Sequence, residues 1–432
     1  MHWRLRIRKG INMKYLTLGN GLSVLFHQMQ NTHSVTVGLY VKAGSGYETS
    51  EYNGITHLLE HLHFRKLGKY SQEELYYKME SMGSTLRAAT YCNFLKFTMK
   101  VVPEKIEECI DIFQELIVTK EWMDEEIKQE KQVVINQILE KGNYITIDRE
   151  VRKNIFKDHG LANEIMGNIQ TVNNIRKTDL EKYKKEMFSS SNMMVCITGN
   201  FTESKREKIL KRLEALEILE TANKKTLFAP DCFCTRKPDI YFRFVQDNNP
   251  LDVNLSFDML YNEESKDLLT IMNCILGEGV GSKLQRRIRE EQCYSSDIAS
   301  FIEWYPKFVV LHISFTVEKR AFLNCLRDII IVLKSLKTTI CQRDLDVTLP
   351  FYTTNQVFYE DDTEEMNFQL AYNEFVLGMT YESNGLKNNC ETILALQDMA
   401  QKVFRKNNMS IVVVGNTRNI TKKSIKELAE LL

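Results

Sequence analysis

Apolar and polar positions alternate with two different periods along this chain. Tyr15–Leu18 and Leu22–His27 are short β-rich runs separated by Gly19-Asn20-Gly21, the pattern of two strands joined by a tight turn. Ser34–Lys42 and Phe94–Val102 alternate in the same way and read as further strands. A 3.6-residue period predicts helices around 53–65, from a capping box at Ser71 and Glu74, through 104–118 and through 124–142. Periodicity lapses from 217 to 238, which reads as a linker. The mixture then returns, with strands near 239–245, 251–258 and 308–317 and helices near 264–276, 320–336 and 364–377.

The two halves share a signature. Asn192-Met193-Met194-Val195-Cys196-Ile197-Thr198-Gly199-Asn200 matches Asn408-Met409-Ser410-Ile411-Val412-Val413-Val414-Gly415-Asn416, each a buried strand closed by Gly-Asn. The offset from Asn192 to Asn408 is 216 residues, half of the 432-residue chain, which points to a duplicated α+β domain. The expected division is 1–216, a linker at 217–238, and 239–432.

Composition narrows the function classes. Lys+Arg and Asp+Glu both number 57, so no net charge draws the chain to nucleic acid or anionic lipid. No apolar run approaches the roughly 18 residues of a membrane span. Cys92, Cys109, Cys196, Cys274 and Cys325 sit singly, mostly in apolar stretches, as small hydrophobes do. Cys232-Phe233-Cys234 has no second pair at zinc-finger distance. Reduced thiols and the lack of a secretory signal predict a cytoplasmic protein. Met1–Asn12, with Arg4, Arg6, Arg8 and Lys9, alternates basic with apolar residues like a strand and reads as a short basic extension. Gly277-Glu278-Gly279-Val280-Gly281-Ser282 lacks the Gly-Lys-Ser/Thr of a phosphate loop and reads as a turn before a helix.

His57-Leu58-Leu59-Glu60-His61 carries the chemistry. Residues four apart share a helix face, so both imidazoles can grip one ion, and Glu60 reaches the same side. Zinc held there lowers the pKa of a bound water, and a glutamate beside it can take the proton. His63, two residues past His61, points to the opposite face and is excluded as a ligand.

This is the inverted His-x-x-Glu-His motif, and from here the chain resembles the pitrilysin/insulinase family of zinc peptidases. Its short two-domain members, which include mitochondrial processing peptidase subunits, are the most similar. The resemblance runs from Met13 onward through Leu18–Leu22, Val41–Glu48, Gly54–His61, Tyr70-Ser71, Gly83–Thr90, Glu130–Val134, both Gly-terminated strands and Gly281–Leu284. It implies two homologous α+β domains, each a mostly antiparallel sheet packed against helices, together forming half of a clamshell. A second such chain, the same or related, supplies the other half.

It also implies roles, and three of them meet a departure. The family's third zinc ligand is a glutamate that falls at Gln137 here, two helical turns after Glu130, the family's orienting glutamate. Gln137, Glu140 or Glu130 could complete the site. The substrate is implied to add as a strand beside an Asn-Ala-x-Thr run, which here reads Arg87-Ala88-Ala89-Thr90, with Asn93 where an acid is usual. Arg87 either selects acidic peptide groups or is a solvated edge charge. An Arg and a Tyr from the second domain are implied to hold the substrate carbonyl and oxyanion. Tyr294 with Arg289 is the expected pair, with Arg287 as the alternate.

The resulting expectation is a zinc endopeptidase acting on peptides or unfolded segments, with His57, His61 and Gln137 on the metal and Glu60 as base. Glu130, Arg289 and Tyr294 support it, and the chain works as a homodimer or heterodimer. The alternative is a non-catalytic subunit that binds peptide or a catalytic sister.

Overall fold

The computed structural model describes residues 4–7, 13–119, 121–141, 145–157, 159–219, 238–246, 250–381 and 386–432. Most of the 217–238 segment and the Cys232-Phe233-Cys234 pair lie outside them. The chain forms two units. The first comprises 1–143, 158–227 and 357–381, and the second 144–157, 228–356 and 382–432.

The first unit is built on a seven-stranded sheet of β1 (Arg4–Ile7), β2 (Met13–Thr17), β3 (Ser23–Gln28), β4 (Val35–Val41), β5 (Leu86–Thr90), β6 (Leu95–Val101) and β7 (Met193–Gly199). The spatial order is β1-β2-β3-β7-β4-β6-β5, antiparallel except for the β3–β7 pair. Within the basic extension, Arg4–Ile7 form a strand. Every residue of β4 is buried, because both faces of the sheet are covered. Val35, Val37, Leu39 and Val41 join a core with α1 (Ile55–Arg65), α2 (Gln72–Ser81) and α3 (Ile106–Val118). α4 (Asp124–Lys141) packs against α1.

The opposite face is polar in part and is covered by the helix Thr363–Ala371, continued by a π-helical turn to Leu377. Asn367 is the key to that seat. Its Nδ2 donates to the carbonyls of Thr36 (3.2 Å) and Cys196 (2.9 Å), and its Oδ1 accepts from Tyr40 (2.9 Å). A Cβ at position 38 would stand 2.3 Å from Asn367 Oδ1, so Gly38 is what lets the helix approach.

The second unit repeats the pattern with five strands: β8 (Ile240–Phe244), β9 (Pro250–Leu260), β10 (Ala299–Tyr305), β11 (Phe308–Glu318) and β12 (Met409–Gly415). Their order is β8-β12-β9-β11-β10, with β8 parallel to β12 and the rest antiparallel. This is the order and sense of β3-β7-β4-β6-β5. The segments matched in sequence, β7 and β12, occupy the same slot of each sheet. The fold is α+β, two like units of mostly antiparallel sheet and helices. No helix among the described residues is long and apolar enough to cross a membrane. Cys92, Cys109, Cys196, Cys274 and Cys325 are buried thiols outside any disulfide, as their apolar neighbours led one to expect.

On β10, Glu303 accepts from Tyr305 (2.7 Å) and from Arg152 (3.2 Å) on the helix Ile147–Phe156, and lies 3.8 Å from His312. Burial alone would raise its pKa, but the bonds and charges of His312 and Arg152, with Tyr305, bring it from 4.5 down to about 2. A depressed carboxylate stabilises the fold above its unfolded value and loses that contribution as pH falls through its folded one. Glu303→Gln should therefore cost about 1–2 kcal/mol at neutral pH, and the gap to the parent should close between pH 4.5 and about 2. Urea midpoints across that range check it, and a gap that stays constant with pH contradicts it.

Candidate active site

The motif helix starts without help from its own N-cap. Gly54 sits in the left-handed region at φ 98° and has no side chain to accept from the first turn. Glu48, buried six residues upstream, does this work. Its carboxylate accepts from the Gly54 N–H (2.7 Å), the Thr56 N–H (2.9 Å) and Asn53 Nδ2 (2.8 Å). Burial raises its pKa, and these donors oppose that rise. At the other end Trp122 Nε1 donates to the Leu62 carbonyl at 2.9 Å. Between them Ile55, Leu58, Leu59 and Leu62 are buried against the sheet, each worth about 2 kcal/mol.

That anchoring turns His57, Glu60 and His61 to the other face, half-buried at 15%, 12% and 18% exposure. Their imidazole centroids are 4.7 Å apart. Glu60 Oε2 lies 3.7 Å from His57 Nδ1 and accepts a short hydrogen bond from the Thr90 hydroxyl, at the end of edge strand β5. His63 points away as expected: its Nδ1 donates to the Leu59 carbonyl (2.7 Å) and its Nε2 faces buried Lys184 (2.9 Å).

α4 brings Glu130 and Gln137 to the same face. Gln137 Oε1 lies 3.2 Å from His57 Nε2. Glu130 Oε2 accepts from His61 Nδ1 at 3.2 Å, while its Oε1 accepts from Arg65 Nε at 2.7 Å. Burial would raise the Glu130 pKa, but the His61 and Arg65 bonds outweigh it and lower it. Glu140, one turn beyond Gln137, is exposed. A cavity of about 420 Å³ opens beside the motif, lined by Glu60, His61, Phe64, Tyr76, Ala88 and Val133 among others.

The donor set fits a metal ion, with a weakness. The His61–Glu130 bond fixes the imidazole tautomer that leaves Nε2 bare, and Gln137 offers its oxygen next to His57 Nε2. Among the described residues, however, no group of three or more His, Cys, Asp or Glu is arranged to hold an ion. The third donor is a neutral amide.

A family model described as "Insulinase (Peptidase family M16)" matches residues 23–169, and "Peptidase M16 inactive domain" matches 174–366. The chain belongs to the insulinase family of peptidases. Among its M16 relatives is a mitochondrial-processing peptidase subunit beta of Neurospora crassa, 27% identical over 228 residues. That match spans about half of each protein, 51% of this chain and 48% of the relative. The same subunit of Caenorhabditis elegans is 22% identical over 93% of this chain and 89% of its own length. The uncharacterized zinc protease YmxG of Bacillus subtilis is 23% identical, covering 68% of this chain and 71% of its own. Among solved structures, a protease from Helicobacter pylori superposes with a TM-score of 0.82 at 19% identity, over 94% of this chain and 99% of that one. The first half of the periplasmic protease PqqL of Escherichia coli gives 0.78 at 16%, over 97% and 96%.

The expected Arg and Tyr pair is in the second unit. Tyr294 is partly buried against its core. Arg287 is engaged twice, by Glu291 (3.0 Å) and Asp328 (3.1 Å), whereas Arg289 has Glu290 at 3.5 Å and is half exposed. In the first unit Arg87, 70% exposed, pairs with Glu364 at 3.1 Å, and Asn93 is buried. Sequence reasoning gave no role to Glu48, Trp122 or Arg65. Glu48 stood inside the Val41–Glu48 run but had no local signal, since its partners follow at an irregular spacing.

Glu48→Ala should leave two backbone donors of a buried helix start without a partner, costing about 2 kcal/mol or more. Urea denaturation measures this. An unchanged midpoint would remove Glu48 as the anchor of the motif helix.

Proposed function

We propose that this chain is a zinc metalloendopeptidase that hydrolyses peptides or unfolded segments. The observation that carries the reading is the convergence of His57, Glu60 and His61 with Gln137 and Glu130, together with a free strand edge ending at Thr90. Zinc held by His57, His61 and Gln137 would polarise a water molecule and the scissile carbonyl.

The chain's own residues account for the rest. An extended peptide adds to the β5 edge through backbone hydrogen bonds. Glu60 takes a proton from water as the water oxygen bonds to the carbonyl carbon. It then delivers that proton to the amide nitrogen as the C–N bond breaks. Thr90 occupies Glu60 Oε2, which leaves Oε1 for the water. Glu130 holds His61 in its ligating tautomer. Tyr294 and Arg289 of a second domain, of this chain or of a partner, would hold the substrate. Two relatives are named as subunits, which supports pairing with a second copy or a related chain, and we place the protein in the cytoplasm.

A second reading, a binding subunit without activity, is favoured by one observation: position 137 offers no anionic donor. An intact and positioned Glu60 favours the enzyme.

Glu60→Gln should keep the fold and the metal and lower peptide cleavage at least about a hundredfold. A quenched peptide assay on both proteins decides it, since equal rates would move the active site elsewhere. Gln137→Glu adds a charge attracted to a dication at an effective dielectric near 20, and should tighten zinc binding about tenfold or more. Chelator competition measures that. Unchanged affinity would mean that Gln137 does not touch the ion, and tighter binding without cleavage in either protein would favour the subunit reading.

A further inference from the structure

We propose that Arg65 is a positioning residue that sets the metal affinity of this site, by cancelling the charge of Glu130. The proposal rests on His57 and His61 being metal donors, and it adds a role for a residue that touches neither the ion nor the substrate. Arg65 lies one turn after His61 on α1, so it projects from the same face. Its Nε donates to Glu130 Oε1 at 2.7 Å, and its NH2 lies 2.6 Å from the same oxygen. Its NH1 donates to neutral Gln72 at 3.2 Å. Glu130 Oε2 is bound to His61 Nδ1. Both oxygens of the carboxylate are thus committed.

Two consequences follow from this geometry. Glu130 is held on the rear of His61 and kept from moving to the ion as a third ligand. Its negative charge, which would strengthen His61 as a donor and attract a dication through the imidazole, is neutralised by a guanidinium that is itself only 27% exposed. With Gln137 in the ligand position, the site has no uncompensated carboxylate among its donors and their immediate partners except the base, Glu60. Low affinity is built into it twice.

The test is zinc affinity by competition with a chromophoric chelator, read on the full chain without reference to peptide cleavage. Arg65→Met should bind zinc about threefold or more tightly than the parent, whereas Arg65→Lys, which keeps the charge, should stay near it. Adding Glu130→Gln to Arg65→Met should abolish the gain, because the gain acts through that carboxylate. If Arg65→Met does not fold, Arg65→Gln, which keeps a hydrogen bond to Glu130, carries the same comparison. Equal or weaker binding in the uncharged variant, with the parent binding zinc, overturns the role of Arg65 while leaving the metal site standing. No zinc bound by the parent, by these variants or by Gln137→Glu overturns the metal-site reading and this one with it.

Discussion

Three donors to one buried carboxylate fix the position of everything else in the site. Glu48 holds the start of the motif helix through the Gly54 and Thr56 amides and the Asn53 side chain. Without it, a helix beginning at a left-handed glycine would have unpaired donors in the interior. A side chain outside the helix does this, so the cap ties the helix to the preceding loop. Trp122 does the converse at the far end by taking the Leu62 carbonyl. The four apolar anchors then set rotation. A helix fixed at both ends and in rotation can present His57, Glu60 and His61 without any of them contributing to its stability.

That division of labour explains how the second helix matters. α4 meets α1 with two polar side chains seven residues apart, and their different chemistry decides the site's character. Glu130 is paired with Arg65, and Gln137, beside His57 Nε2, is uncharged. The arrangement fits the proposed metallopeptidase, and its donors carry little uncompensated charge. Thr90 links Glu60 to the strand edge, so under the proposed function the residue that ends the peptide-binding strand also orients the base.

Much of this was legible in the sequence. The β7 and β12 runs are fully buried strands of β-branched and apolar residues closed by Gly-Asn, and such runs keep their identity in any context. The His57–His61 spacing is a property of one helix and needs no tertiary knowledge. What escaped depends on partners distant in sequence. The helix Ile147–Phe156 packs in the second unit and Thr363–Ala371 in the first, which no local pattern encodes. The helix Gln342–Tyr359 contains Pro350 and exposes Val347, Phe351, Val357 and Phe358, so neither its period nor its composition marks it. Strand β10 carries Glu303 and Trp304 on partly covered positions, and its alternation is weak. The Arg65–Glu130 pair was invisible because its partners lie 65 residues apart.

The central claim is that two imidazoles of one helix and the amide oxygen of a second converge on a single ion. X-ray absorption at the zinc edge of the zinc-loaded protein tests it most directly. The account predicts a shell of nitrogen and oxygen only, with the outer-shell scattering of two imidazole rings. A sulfur neighbour, or a shell without imidazole scattering, would put the metal elsewhere and contradict the claim.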